Sequence, residues 1–140
     1  MEITDATLLA RAIVWMASSE TARNQAFNVT DTCQFRWQWL WPKIAAHFNL
    51  AVGEVRPLRL AEAMKDKGPA WARITQRHGL VRDALDDLVS WDFADFFLNR
   101  EHDNIADTTR IRLAGFNGVV DSHQRIVHHL VRYREARLLP

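Results

Sequence analysis

The pattern of apolar and polar positions changes its period within residues 26–48. Apolar and polar side chains alternate over residues 26–30, and this spacing predicts a short strand. From Phe35 onward the apolar positions recur at helical spacing. One stripe contains Trp37, Leu40, Trp41, Ile44, Ala45 and Phe48, and a second contains Phe35, Trp39 and Pro42. The segment is therefore predicted to be a strand followed by a helix that is covered on two sides.

The remaining pattern is mostly helical. Residues 5–18 are predicted to form a helix capped by Thr4 or Asp5, and residues 55–60, which contain Pro57, a short edge strand. Further helical segments are predicted at residues 60–65, 69–78, 85–98, 107–114 and 121–137, with Gly79 just past the end of the second. The predicted fold class is α+β and predominantly helical, with about six helices and one or two short strands.

Composition places the chain among ordinary globular proteins. The 140 residues are 48% hydrophobic and 25% charged, which is typical of a single domain over residues 1–140. The net charge of +1 favours neither nucleic acid nor an anionic membrane as a partner. Cys33 is the single cysteine, so an internal disulfide is excluded and a reducing cytoplasm is indicated. No apolar run of about 18 residues predicts a membrane span.

Several polar residues invite a chemical interpretation. Two clusters could suggest a metal site: His123, His128 and His129, and Asp83, Asp86 and Asp87. Spacings of five and six residues do not bring imidazoles together on a helix, and the three aspartates are best explained as solvated charges at a helix end. Cys33 is interpreted as a small turn residue rather than a nucleophile. No metal ligand and no catalytic residue is therefore predicted.

An aromatic cluster is the second focus of the chain. Trp91, Phe93, Phe96 and Phe97 lie within seven residues of one another. Aromatic stripes usually pack in a core. Consecutive Phe96 and Phe97, however, cannot both face the same core from a helix.

Several segments together resemble a known family. They are AFNVT and FRW, LWPKIAAHF, KDKGPAWARI (residues 65–74), LVSWDFADF (residues 88–96), DTTRIRLAGF (residues 107–116) and the final RLLP. This set resembles the C-terminal half of the progesterone 5β-reductase/iridoid synthase-like enzymes, an atypical branch of the extended short-chain dehydrogenases/reductases. The resemblance covers nearly the whole chain. One departure is Asp31-Thr32-Cys33, where the family usually has Asn-Gly-Asp.

The family's catalytic and cofactor motifs are not found in the sequence. A Rossmann unit needs a glycine-rich turn so that backbone amides can approach the cofactor pyrophosphate, and the five glycines are wrongly spaced for it. The family's Tyr-x-x-x-Lys pair is also missing, because Arg137 stands where a lysine would follow Tyr133. The chain is thus expected to resemble the C-terminal part of the enzyme without its Rossmann half. NADPH is implied only for a complete family member.

The resemblance implies a function through the aromatic cluster. Trp91, Phe93, Phe96 and Phe97 would form apolar walls of a pocket for an enone, such as a steroid or a small terpenoid carbonyl compound. The chain is then the substrate-binding portion of an NAD(P)H-dependent enone reductase, not catalytic on its own. The alternative is a stand-alone, non-catalytic module that binds a protein or an apolar ligand. In either case a partner is expected: the missing Rossmann half, or a second copy that buries the Phe35/Trp39 flank.

Overall fold

The chain is predominantly helical, as predicted. The structure, a computed structural model, describes residues 1–31, 33–81 and 84–140. Within them lie seven α-helices: α1 (Ala6–Ser18), α2 (Trp37–His47), α3 (Leu60–Met64), α4 (Gly68–His78), α5 (Trp91–Leu98), α6 (Thr109–Leu113) and α7 (Ser122–Glu135). Two short 3₁₀ turns cover Glu20–Ala22 and Leu85–Asp87. None of the helices in the described ranges is long and apolar enough to cross a membrane.

The two predicted strands are not found in the described part of the chain. The segment after residue 26 instead bonds irregularly to the start of the chain: Asp31 donates its backbone N–H to the carbonyl of Ile3, and Phe35 donates to the carbonyl of Met1. These two bonds lie four residues apart on one side and two apart on the other, so they do not form a regular ladder. In the other segment Val55 is 95% exposed, which is not the environment of a paired strand.

The predicted helix at residues 85–98 is divided. Its first residues form the 3₁₀ turn Leu85–Asp87, and α5 begins only at Trp91. Ser90 is extended, with φ −92° and ψ 104°, and its hydroxyl accepts a hydrogen bond from the N–H of Phe93 at 3.4 Å. Because Ser90 caps a new helix, the helical period cannot run through it.

Residue contacts divide the chain into two compact units. Unit 1 contains Met1–Val52 and Asp103–Val127, and unit 2 contains Gly53–His102 and His128–Pro140. The prediction of a single domain stays a prediction. The most buried apolar side chains of unit 1 come from three helices and the loop before α2: Leu8, Ala12, Phe35, Leu40 and Ile111. Gly118 lies against this core, because a Cβ built on it would come within 2.8 Å of a methyl carbon of Leu8.

A buried polar cluster organises unit 1. Asp5 caps α1, and its carboxylate accepts hydrogen bonds from the N–H groups of Thr7 and Leu8 at 2.9 and 3.1 Å. The guanidinium of Arg125 donates two more, from Nε at 2.8 Å and from Nη2 at 3.1 Å. The side-chain hydrogen bond from Arg125 is the largest cause that lowers the pKa of Asp5. Asp31 is fully buried nearby, accepts the N–H of Asp5, and has a pKa raised chiefly by its burial.

Helix α2 is less covered than its two stripes predict. Leu40 and Ala45 are buried as expected, but Trp41 is 51% exposed and Trp39 is 59% exposed. Phe35 is 2% exposed. Phe35 therefore belongs to the core of unit 1 and cannot be part of the predicted interface flank, whereas Trp39 is exposed; the association itself stays a prediction.

Unit 2 is built around α3, α4 and α5. Helix α4 ends as predicted: Gly79 adopts φ +60° and ψ 41°, a left-handed conformation that favours glycine, and the N–H of Leu80 bonds to the carbonyl of Thr75. Leu80 and Thr75 are the buried residues beside this cap, while Ile74 is 37% exposed. The end of the chain belongs to the same unit, where Val81 donates its N–H to the carbonyl of Arg137.

Candidate functional site

A cavity of about 620 Å³ opens beside the start of α5 in unit 2. Its walls come from α3, the start of α4, the 3₁₀ turn and the first residues of α5. The apolar lining includes Ala61, Met64, Leu85, Val89 and Trp91. Ser90, Asp92, Asp86 and Lys65 add polar groups. The lining is about as polar as it is apolar, and a concave space of this volume can hold a small molecule that carries both kinds of group.

Trp91 lines this cavity and has an unused hydrogen-bond donor. Its indole Nε1 is buried and has no hydrogen-bond partner among the residues described. An indole N–H only donates, and a buried donor without an acceptor costs about 1–3 kcal/mol. A ligand with an acceptor oxygen would remove that cost.

The other three aromatic residues of the cluster form a separate ring group on α5. Phe93 and Phe97 stack with ring centroids 6.2 Å apart, and Phe93 and Phe96 lie 6.4 Å apart. Phe93 is 64% exposed and Phe96 63%, while the guanidinium of Arg100 lies 4.8 Å above the Phe96 ring. These three phenylalanines are not among the described residues that line the 620 Å³ cavity. The structure therefore divides the predicted site, with Trp91 at the cavity, Phe93 and Phe96 exposed to solvent, and Phe97 partly buried beside them.

Asp95, in the same aromatic segment, has a role that the sequence does not reveal. Its side chain is 7% exposed and accepts hydrogen bonds from the backbone N–H groups of Leu60 at 2.6 Å and Ala61 at 3.0 Å. These are the first two amides of α3. The carboxylate thus caps a helix that forms one wall of the cavity. The bond from Ala61, followed by that from Leu60, lowers the pKa of Asp95.

The described residues do not fit a dinucleotide cofactor. A pyrophosphate site needs glycines in a turn between a strand and the N-terminus of a helix. Here Gly79 ends α4, Gly115 follows α6, and Gly118 lies against Leu8 and Phe116. Gly68 begins α4 but is followed by Pro69, which has no N–H to donate. No step through a nicotinamide is therefore derived for this chain.

The histidines and acidic residues also have positions that the sequence left open. His128 and His129 lie in unit 2, with ring centroids 5.9 Å apart, and His123 lies in unit 1. His123 is grouped instead with Cys33 and Asp121, whose donor atoms lie within 4.8 Å of one another. Cys33 therefore lies near a histidine with which the sequence did not pair it, and its interpretation as a small turn residue stays a prediction. Asp86 lines the cavity and Asp87 is exposed, while Asp83 and Thr32 lie outside the described residues.

Comparison with known proteins identifies the family. A (S)-8-oxocitronellyl enol synthase from Nepeta racemosa is 34% identical over 139 residues, which is 97% of this chain and 35% of the relative. A second one, from Camptotheca acuminata, is 30% identical over 97% of this chain and 36% of the relative. By sequence, the chain is a partial-length member of the iridoid-synthase-like short-chain dehydrogenases/reductases. No family model matches it.

A fungal relative widens this family assignment. The short chain dehydrogenase gsfE of Penicillium aethiopicum is 29% identical over 99% of the chain and 41% of the relative. The chain spans about a third of the length of the enol synthases that it matches. Members of this reductase-like family are generally NAD(P)-dependent enzymes that act on small molecules.

Proposed function

We propose that this chain is the C-terminal, substrate-binding portion of an NAD(P)H-dependent enone reductase-like enzyme and is not catalytic on its own. The observation that carries the proposal is the cavity beside α5, which is lined by Trp91, a residue whose indole N–H has no acceptor among the described residues. In a complete enzyme the cofactor would supply hydride, and it would be bound by a portion of the enzyme that this chain does not provide. The chain itself would bind and orient the substrate in its reducing, cytoplasmic setting.

The lining supports an apolar carbonyl compound as the ligand. The volume of about 620 Å³ lies within the range of about 300–1,000 Å³ that is common for small-molecule pockets. Met64, Leu85 and Val89 give the ligand an apolar environment, and the Trp91 N–H requires an acceptor such as a carbonyl oxygen. Relatives named for an oxocitronellyl enol favour a carbonyl compound of terpenoid size. The Phe93, Phe96 and Phe97 rings would form a further apolar wall where additional chain covers them.

Calorimetric titration of the chain with citral, a terpenoid enal, tests the proposal. Binding of citral is expected, and Trp91→Phe should weaken it about fivefold, because one hydrogen bond of about 1 kcal/mol is lost while the ring remains. Limonene, a terpenoid hydrocarbon without an acceptor, should bind both proteins equally. Trp39→Phe is the matched control, since Trp39 is exposed in unit 1. Equal citral affinity for the parent and Trp91→Phe would contradict the assigned role.

Calorimetric titration with NADPH tests the claim that the chain is not catalytic on its own. No binding is expected, because no described glycine is placed for a pyrophosphate. Micromolar binding of NADPH to the purified chain would mean that a cofactor site exists on it. A chain that binds citral but not NADPH behaves as the substrate portion of a larger enzyme.

The second candidate function, a stand-alone interaction module, is favoured by one observation. Trp39 and Trp41 are both more than half exposed on α2. Large exposed aromatic side chains on one helix are typical of an interface. This module would associate through unit 1 and would not need the unit 2 cavity, so failure of citral to bind together with stable association would favour it.

A further inference from the structure

Three potential metal ligands of different chemical type meet at the start of α7 in unit 1. They are the thiol of Cys33, the carboxylate of Asp121 and the imidazole of His123. Their donor atoms all lie within 4.8 Å of one another. In a tetrahedral zinc site the donors are about 2.0–2.3 Å from the metal and hence roughly 3.5 Å from each other. A contraction of about 1 Å, within reach of side-chain rotation, would bring the three donors to coordination distance.

The backbone already orients two of these side chains. Asp121 lies immediately before α7, and its Oδ1 accepts the N–H of His123 at 2.8 Å and of Gln124 at 3.3 Å. This capping geometry turns the two side chains toward one another although they are only two residues apart, so that Nδ1 of His123 lies 4.0 Å from Oδ1 of Asp121. The sequence prediction considered His123 only with other histidines, whose helical spacing keeps them apart.

Neighbouring residues contact the backbone of Cys33 and the ring of His123. The hydroxyl of Ser122, which is fully buried, donates to the backbone carbonyl of Cys33 at 3.3 Å. The ring of Phe35 lies edge-on to the imidazole of His123, with centroids 5.9 Å apart. Such outer contacts fix ligand orientation in metal sites and raise metal affinity.

His123 has a ring nitrogen without a hydrogen bond. Its Nε2 is buried and finds no partner in residues 1–31, 33–81 and 84–140. A metal-bound histidine is neutral and uses one ring nitrogen for the metal. The unsatisfied Nε2, or Nδ1 at 4.0 Å from Oδ1 of Asp121, can provide that nitrogen. Cys33 is partly exposed and is not in a disulfide, so a metal ion has access to its sulfur.

We propose that Cys33, Asp121 and His123 bind a divalent zinc-type cation through one sulfur, one oxygen and one nitrogen ligand, with water in the fourth position. This ligand set suits Zn²⁺ because thiolate and imidazole select borderline-soft metals over Mg²⁺ and Ca²⁺. Binding replaces the thiol proton of Cys33, which is released to the solvent, and changes no oxidation state. The site shares no residue with the unit 2 cavity and does not depend on the proposed reductase role.

Cobalt substitution tests the site directly, because Co²⁺ bound by a thiolate gives a sulfur-to-metal charge-transfer absorption in the near ultraviolet. The full chain is treated with a chelator, kept reduced with a phosphine and titrated with Co²⁺. The parent is expected to show the band, and added Zn²⁺ should abolish it by displacement. Absence of the band in the parent would overturn the proposal, whatever the variants do.

Three variants assign the ligands, and a fourth is the control. Cys33→Ser should abolish the band, while His123→Ala and Asp121→Asn should each weaken Co²⁺ binding at least about tenfold. Asp121→Asn keeps a capping side chain at the start of α7, so a folding defect is not expected. His128→Ala, an exposed histidine of the same helix, is the control and should bind as the parent does.

Each remaining outcome has a definite meaning. Unchanged binding in both His123→Ala and Asp121→Asn would show a thiol that binds cobalt alone and would overturn the site. If a variant loses its far-ultraviolet circular dichroism, the parent supplies the second measurement: Zn²⁺ should raise its melting temperature by mass action, and Mg²⁺ should not. No shift with Zn²⁺ would contradict the proposal.

Discussion

At the scale of single residues, Asp95 links the aromatic segment of α5 to the first turn of α3. Both of its carboxylate oxygens accept backbone N–H groups, from Leu60 and Ala61. These bonds favour the charged form, which is why the pKa of Asp95 is lowered. A group whose pKa is lower in the folded chain stabilises that chain above the unfolded pKa and loses this contribution as pH falls.

We therefore expect Asp95→Asn to make stability less sensitive to acid. At pH 7 the variant should unfold at a lower urea concentration than the parent, and the difference should narrow as pH falls below the unfolded pKa of about 3.9. Urea unfolding followed by circular dichroism at a series of pH values measures it. Asp92→Asn, at an exposed position of the same helix, is the control. A difference of equal size at neutral and acid pH would mean that the Asp95 charge is unimportant.

The role of Asp95 also shows what the sequence could not predict. The residue lies 35 positions from Leu60. Helical spacing predicts only its own neighbours, and the capped helix has no capping side chain of its own. The cap of α1 was predictable, in contrast, because Asp5 lies directly before the helix and bonds to Thr7 and Leu8. The sequence thus predicts a helix cap that lies next to its helix, but not a cap that comes from a distant part of the chain.

At the scale of elements, α2 shows that the apolar spacing of a helix does not by itself predict which of its residues are buried. Leu40 and Trp41 are neighbours in the predicted stripe, yet Leu40 is fully buried and Trp41 is half exposed. Apolar spacing predicts which residues share a side of the helix, but the cover comes from other elements. The buried part of the Trp41 ring packs edge-on against the ring of Trp37, with the ring centroids 6.3 Å apart.

We predict that Leu40→Ala destabilises the chain more than Trp41→Ala. The leucine is fully enclosed, so its truncation should cost about 2–5 kcal/mol through lost burial and a cavity. The tryptophan is larger but keeps half its surface in water, so its truncation should cost less. Chemical unfolding of both variants gives the comparison, and the opposite order would show that the exposed face of Trp41 is covered in solution.

The helix predicted at residues 85–98 is divided because a polar side chain sets the start of α5. Residues 85–98 are predicted as one helix, but Ser90 caps α5 and the 3₁₀ turn Leu85–Asp87 precedes it. Serine competes with the helix through its hydroxyl, and this competition decides a boundary where periodicity alone does not. The break also creates the site, because residues from the turn and from α5 line the same cavity.

At the scale of the whole molecule, both units carry large apolar side chains in contact with water. In unit 1 these include Trp39 and Trp41, and in unit 2 they include Phe93 and Phe96. The chain spans about 35% of the length of an enol synthase relative. Surfaces of this kind are covered in longer proteins by further chain, or they recruit a partner when none is present.

We expect the isolated chain to self-associate through the exposed tryptophans of α2. Closed two-fold pairs are the commonest soluble assembly, and an exposed tryptophan is the kind of anchor that such interfaces use; Trp39 and Trp41 lie on different sides of α2, so either can be the anchor. Light scattering after gel filtration, at rising protein concentration, should give the mass of two chains. The double variant Trp39→Ser/Trp41→Ser should return it to one chain, whereas Phe93→Ser/Phe96→Ser, which removes as many rings from unit 2, should not. A parent mass of one chain at every concentration would show that α2 needs no partner.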